Sequence, residues 1–282
     1  MPGHSELAGF RDWVGRAETR HDVVTPAPLA ALSALLDRDD PIARTGDPAP
    51  PLAHWLYFAT NYRQSEVGHD GHALKGGFLP PVPLPRRMWA GSRIEFPRPL
   101  RVGSDVSRVS TIRDVTPKEG RSGPLVFVTV RHEVSDAGGL VVVDEHDIVF
   151  RGESALASVA RPSPRGEAWR REIRPDPVLL FRYSAVTSNS HRIHYDHPYA
   201  TRVEGYPGLV VHGPLIATLL IDLLRRNMPA ATVKTFAFRA SKPLVDTAAF
   251  ETCGLPDETG RAAKLWTRDA EGESTMEATA TW

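Results

Sequence analysis

Three histidines (His191, His194, His197), Asn189 and Asp196 fall within nine consecutive residues, and His212-Gly213 comes directly before the apolar run of 214–226. A neutral imidazole suits the taking and returning of protons near pH 7, because its ordinary pKa of about 6.5 lies close to that pH. The first N–H groups of a helix have no intrahelical acceptor and sit at the positive end of its dipole. A glycine there can bring an amide close to an oxygen that gains negative charge. Polar residues at this density point to proton-transfer chemistry rather than to packing. A metal is the competing use of His191, His194, His197 and Asp196. Arg192 in the middle and Pro198 after the last histidine work against ligands converging from one side, so no metal is expected.

These residues need elements to hold them. Residues 214–226 are apolar on almost every side, which predicts a buried helix. Strands are expected after it at 232–240, 246–253, 261–268 and 274–282. The first half predicts a short amphipathic helix over 7–16, a strand over 18–24, and a helix opened by Thr25 as cap and Pro26 in its first turn. A buried segment follows at 52–58. Glycines 68, 71, 76 and 77 and prolines 80, 81, 83 and 85 forbid a long helix or central strand over 64–85, and a loop of that length lines or covers a ligand channel. Alternating, β-branched residues predict strands at 89–96, 102–115, 125–134 and 140–150, the last two joined as a hairpin across Asp136-Ala137-Gly138-Gly139. Residues 155–177, rich in Ala, Pro, Arg and Ser, read as an interdomain linker.

The Pro-Leu pairs at 99 and 243 lie in similar surroundings about half a chain apart, and each half runs helix first and antiparallel strands after. The expected fold is therefore α+β: a long helix wrapped by a curved antiparallel sheet, duplicated, with one domain over 1–160 and a second, carrying the histidines, over 161–282. At 282 residues the chain fits two domains of ~140 residues each. Lys+Arg and Asp+Glu balance at 34 each, which leaves no overall field to attract nucleic acid. No run approaches the ~20 apolar residues of a membrane span. The single cysteine, Cys253, permits no internal disulfide and reads as a half-buried strand residue. That usage, with no signal-peptide pattern at the N-terminus, predicts a cytoplasmic protein.

The run Tyr183–Ala200 followed by His212-Gly213 resembles the hydratase motif of the MaoC-like double hot-dog enoyl-thioester hydratases. Gly76–Gly91, Gly120–Glu133 and Asp144–Arg151 resemble the branch with mitochondrial-type 3-hydroxyacyl-thioester dehydratases and mesaconyl-CoA (3-methylfumaryl-CoA) hydratases. The likeness covers nearly the whole chain. In the wider family an Asp and a His five residues apart form the catalytic pair. Here Asn189 stands at the Asp position, His191 at the motif's Asn, and His194 at the catalytic His.

The resemblance implies reversible addition of water to an enoyl thioester, with a short branched dicarboxylyl-CoA such as mesaconyl-CoA as the favoured substrate. Coenzyme A enters as part of the substrate and no cofactor is expected. His194 then acts as base and acid, Asn189 holds the water, and the Gly213 N–H receives the enolate oxygen. Because an amide cannot accept a proton, either His194 shuttles both protons or a carboxylate helps. Asp196 and Glu204 are the candidates, though Asp196 also reads as a helix cap and Glu204 as a solvated loop charge. His191 and His212 are taken as neighbours of the substrate. For the carrier's phosphates the candidate cations are Arg86, Arg87, Lys118, Arg121, Arg239 and Lys242, and for a free carboxylate deep in the pocket, Arg182 and Arg192. The alternatives are a 3-hydroxyacyl-thioester dehydratase acting on a carrier protein, a hot-dog thioesterase, and a non-catalytic acyl-CoA-binding module. An exposed sheet edge or face makes a homodimer the expected assembly.

Overall fold

The computed structural model describes residues 9–59, 62–120, 123–152 and 161–282. Its ten strands are β1 (Ala17–Val23), β2 (Arg86–Glu95), β3 (Asp105–Gly120), β4 (Gly123–Asp136), β5 (Gly139–Arg151), β6 (Trp169–Ile173), β7 (Thr235–Ala240), β8 (Phe250–Pro256), β9 (Ala262–Arg268) and β10 (Ser274–Thr281). All ten join one sheet in the order β1-β3-β4-β5-β2-β7-β10-β9-β8-β6. The first five strands occupy one half of that order and the last five repeat it in mirror sequence. The seam is the antiparallel pair β2–β7, with Gly91 opposite Arg239 and Ile94 opposite Phe236. The domain limit expected at 160/161 adjoins residues 153–160, which lie outside the described ones.

Among the described residues three α-helices accompany the sheet: α1 (Pro26–Leu35) after β1, α2 (Pro177–Val186) after β6, and α3 (Gly213–Asn227). Pro at the first helical position opens α1 and α2, where its missing N–H costs nothing. The fifteen-residue α3 is the buried helix its composition predicts. Leu215–Leu224 is buried throughout, and the helix packs on β6, β8, β9 and β10. In the first half the place of such a long helix is taken by the 3-10 turn Ala53–Leu56 and the largely irregular stretch 64–85. With no long helix there, the inner face of β2, β4 and β5 stays open, and the cavity described below fills that space.

Several expectations are corrected. The helix foreseen over 7–16 is a 3-10 turn at Gly9–Trp13, residues 1–8 lying outside the described ones. Part of the supposed linker, Trp169–Ile173, is edge strand β6, whose outward Arg170 and Glu172 suit an exposed border. Helix α2 was not foreseen. Its start signal is Asp176, whose carboxylate accepts the Leu179 N–H at 2.7 Å. Cys253 is fully buried on β8, where burial pushes its thiol up to about 11 and leaves it unreactive. Among the described residues no helix is long and apolar enough to cross a membrane.

Candidate active site

The polar motif begins where α2 ends. Ser188 adopts a left-handed conformation (φ 52°), the Ser188 N–H reaches the Ala185 carbonyl and the Asn189 N–H reaches that of Ser184. This 6→1, 5→2 pattern stops the helix and turns the chain across its end. Asn189 Oδ1 then accepts the His191 N–H at 3.0 Å, which fixes the amide orientation and leaves Nδ2 with no partner among the described residues. One short turn, Arg192–His194, brings His194 round.

His194 is buried and lines a cavity of about 1660 Å³ between the two halves of the sheet. Its Nδ1 donates to the Val210 carbonyl at 2.7 Å, so the lone pair belongs to Nε2. Burial lowers its pKa to about 4, and the ring is therefore neutral at pH 7 and able to accept a proton. Behind it His212 stacks at 3.6 Å between ring centroids, with an interplanar angle of 18°, and hydrogen-bonds Ser184 Oγ through Nε2 at 2.8 Å. Gly213 opens α3 and also lines the cavity. A Cβ built there would lie 3.9 Å from its nearest neighbour, the Trp89 carbonyl oxygen, so packing does not require glycine. What the missing side chain provides is open space in front of a helix-start amide.

The first half supplies the opposite wall. On β2, Arg87 and Trp89 alternate onto the inner face, and His146 and His132 on β5 and β4 continue it. Asp144 beneath them accepts from His54, Trp55 and His146 at 3.0, 2.9 and 2.7 Å, which anchors this wall. The loop after Gln64–Glu66 closes over the motif. The Asp70 carbonyl accepts the Arg192 N–H at 2.9 Å, that of Gly71 accepts Ser190 Oγ, and that of His69 accepts Arg192 Nη1. Gly71 has φ +90°, and a Cβ there would overlap the Ser190 carbonyl oxygen. Gly71→Ala should therefore lift this loop off the motif, lowering turnover at least ~10-fold while costing only ~1–3 kcal/mol of stability. Steady-state assay and thermal melting measure the two together.

Asn189, His191, Arg192, His194, Gly213, Arg86 and Lys242 all line the cavity. His212 does not: it is fully buried behind His194 and cannot touch a substrate. Arg182 lies on the exposed face of α2, outside the cavity, so it is no deep cation. Arg192 is occupied by Asp196 at 2.7 Å and covers the Tyr199 ring at 4.2 Å. Arg86 pairs with Glu204 at 3.3 Å, and Lys242 is held between Asp269 and Glu273, each at 2.6 Å, so neither charge is free for a phosphate. Arg121 lies outside the described residues. Arg239 is exposed at the cavity, and its side chain has no ion pair or hydrogen bond among the described residues. Of the two candidate carboxylates, Asp196 caps the next turn through the Tyr199 N–H, and Glu204 is taken by Arg86 and the Tyr199 hydroxyl.

The residues not foreseen as part of the site are Asp70, His72 and the role of Arg87. The signal for the first two was the loop itself, with His69-Asp70-Gly71-His72 at its centre. Asp70, His72 and His191 bring their polar atoms within 4.8 Å of one another, a spacing that would also admit an ion. Asp70 and His72 already partner each other, through the His72 N–H at 3.0 Å and Nδ1 at 3.4 Å.

Residues 52–246 match the family hydroxyacyl-thioester dehydratase type 2. The chain is 44% identical over 275 residues to the mesaconyl-C(4)-CoA hydratase of Chloroflexus aurantiacus, covering 96% of this chain and 97% of that one. It is 26% identical over 259 residues to the mitochondrial hydroxyacyl-thioester dehydratase type 2 of Schizosaccharomyces pombe, covering 79% of this chain and 84% of that protein. Among solved structures, a MaoC-like dehydratase superposes with a TM-score of 0.74 at 16% identity, over 96% of this chain and 99% of that one. A Mycobacterium tuberculosis protein with a double hot-dog fold superposes with a TM-score of 0.60 at 13% identity, over 95% and 96%. The fold is a double hot-dog.

Proposed function

The chain belongs to the hydroxyacyl-thioester dehydratase type 2 family, and on that premise we propose that it reversibly hydrates a short branched dicarboxylyl-CoA of the mesaconyl-CoA type. It is a hydro-lyase. The observation that carries the reading is that a neutral buried imidazole at His194 and the helix-start amide of Gly213 line the same cavity, with His194 stacked on His212, the residue before that glycine.

Water sits between the free Nδ2 of Asn189, which donates to its oxygen, and Nε2 of His194, which takes its proton as the oxygen bonds to the β-carbon. The electron pair of the double bond moves toward the thioester oxygen, and the Gly213 N–H holds the charge that gathers there. A proton at the α-carbon completes the addition. A thioesterase would need a carboxylate base at the position Asn189 occupies.

Arg87 supports the dicarboxylyl substrate. It lines the cavity, and among the described residues it has no ion-pair or hydrogen-bond partner; burial pushes its guanidinium down, and the Asp70 charge nearby partly offsets that. It lies two residues from Trp89 on the same face of β2, so its Cα is ~7 Å from that of the residue abutting Gly213. A guanidinium extending from that point suits the distal carboxylate of a four-carbon acyl chain whose carbonyl oxygen is at Gly213. Of the other inward cations of this wall, Arg108 is three strands away on β3 and stacks on Phe58 at 4.9 Å, and Arg151, buried on β5, is engaged by Met88 Sδ at 3.3 Å. Arg87→Met should lower kcat/KM for mesaconyl-CoA by roughly 30- to 1,000-fold more than it lowers that for crotonyl-CoA. Equal losses on both would remove Arg87 from acyl recognition. The exposed Arg239 at the cavity is the cation proposed for the coenzyme A phosphates.

Incubation with crotonyl-CoA and with mesaconyl-CoA, following enoyl absorbance and free thiol together, tests the function. Absorbance is expected to fall without thiol release. Thiol release would make the protein a thioesterase, and neither change would make it a binding module. The free edges of β1 and β6 favour a homodimer, and the single buried cysteine agrees with work in the cytoplasm.

A further inference from the structure

Adding water across a double bond takes one proton from water and puts one on the α-carbon, and Asn189 stands where the family's motif carries its second acid–base group. Asn189 cannot carry a proton. The carboxylates lining the cavity among the described residues are Asp70, Asp147 and Glu204. Asp147 is bound to Arg93 and to Thr129 Oγ1, and Glu204 to Arg86 and Tyr199. Among the described residues Asp70 forms no ion pair with an arginine or lysine, although the Arg87 and Lys75 charges lie near enough to act on it. Its partner is His72, through both the backbone N–H and the ring, and His72 lines the cavity too.

From Asp70 the rings continue toward His194. His72 and His191 lie 4.2 Å apart between centroids, and His191 and His194 5.4 Å, spacings that direct contact or one bridging water can span. The loop carrying Asp70 and His72 is tied to the motif by the Asp70, Gly71 and His69 carbonyls, so the file is held rather than accidental.

We propose that the Asp70–His72 pair, delivered by the first-half loop, is the second acid–base group of this site, and that His191 passes protons between it and His194. The inference rests on the hydration reading above. In the forward direction His194 Nε2 removes a proton from water as the C–O bond forms at the β-carbon, leaving an enolate on the thioester oxygen. His191 takes that proton on one nitrogen and releases its own from the other to His72. There the ionised Asp70 stabilises the imidazolium, as a carboxylate does for any histidine it orients. His72 gives the proton to the α-carbon, the enolate collapses to the thioester, and all three rings are neutral again. One water has been added, and no outside acid is needed. Burial keeps these rings neutral at rest, with the Arg87 guanidinium also facing His72 and His191.

The test uses His72→Gln and Asp70→Asn in the full chain, with crotonyl-CoA as the main substrate so that no distal carboxylate engages Arg87. His72→Gln is expected to cut kcat by roughly 10²- to 10⁴-fold with KM within a few-fold, and to remove one limb of the kcat–pH profile. Asp70→Asn keeps an oxygen for the His72 N–H, so the loop holds. It should lower kcat at least ~10-fold and shift the same limb. If His72→Gln melts early, Asp70→Asn decides the matter alone. Unchanged kcat and an unchanged profile in either folded variant would overturn the proposal while wild-type hydration stands. Activity lost to a chelator and restored by a divalent cation would overturn it as well, by making the triad a metal site. Wild-type protein inactive on both thioesters would overturn the hydration reading itself.

Discussion

His194→Ala is expected to lower kcat/KM for mesaconyl-CoA by roughly 10³- to 10⁴-fold, the upper part of the range for a general base that no neighbour replaces. The ring's Nδ1 is spent on the Val210 carbonyl, so Nε2 is the nitrogen left for water, and the only ring stacked on it, His212, is sealed off from the cavity. The fold should survive. The lost hydrogen bond and the hole beside His212 together cost ~1–3 kcal/mol, readable by thermal melting. The pH dependence carries a definite sign. With its pKa lowered to about 4 by burial, His194 stays neutral and competent from pH 8 down to about pH 5, and kcat/KM should fall only on further acidification. An ordinary exposed histidine would already have lost half its base form near pH 6.5.

The second large effect is on stability. Asp222, buried on α3, accepts Arg38 Nη1 at 2.9 Å, Arg171 Nη1 at 2.8 Å and Arg226 Nε at 2.7 Å. Arg38 follows α1, Arg171 belongs to β6, and Arg171 and Arg226 also bond the Leu36 carbonyl. One carboxylate thus joins the end of α1, the edge strand and the central helix. Asp222→Ala should cost ~3–5 kcal/mol, because the buried end of the network is lost: Arg171 and Arg226 lose their counter-charge and Arg38 keeps only Asp40. For a chain of this size that corresponds to a melting temperature lower by roughly 10 °C. Asp222→Asn, which keeps the volume and part of the hydrogen bonding, should fall between. A loss below ~1 kcal/mol in the alanine variant would mean that the arginines find other partners or water.

Much of the site could be read from one stretch of chain because its parts are sequence neighbours. That His194, Asn189 and Gly213 line one cavity was foreshadowed by a motif and a helix start, both local. The buried α3 was legible from a run with no polar face, and the hairpin of β4 and β5 from its alternation and glycines. The loop over 64–85 was legible as a channel lining because glycine and proline exclude most alternatives. What escaped depended on contacts between distant residues. Arg87 reaches the site only because β2 pairs with β7 and turns Trp89 toward Gly213, a register that no local pattern encodes. Asp70 and His72 meet His191 across about 120 residues of chain, through backbone bonds that leave no mark on composition. Arg182 failed as a pocket cation for the converse reason: nearness in sequence to the motif did not say which face of α2 it would occupy.

The most direct test is hydration in water enriched in oxygen-18, with mesaconyl-CoA as substrate and mass spectrometry of all acyl and coenzyme A species. A base at His194 facing an amide at Gly213 predicts one oxygen-18 atom in the hydroxyl of an intact 3-hydroxyacyl-CoA, and no free coenzyme A. Oxygen-18 found instead in a released free acid, matched by free thiol, would contradict it.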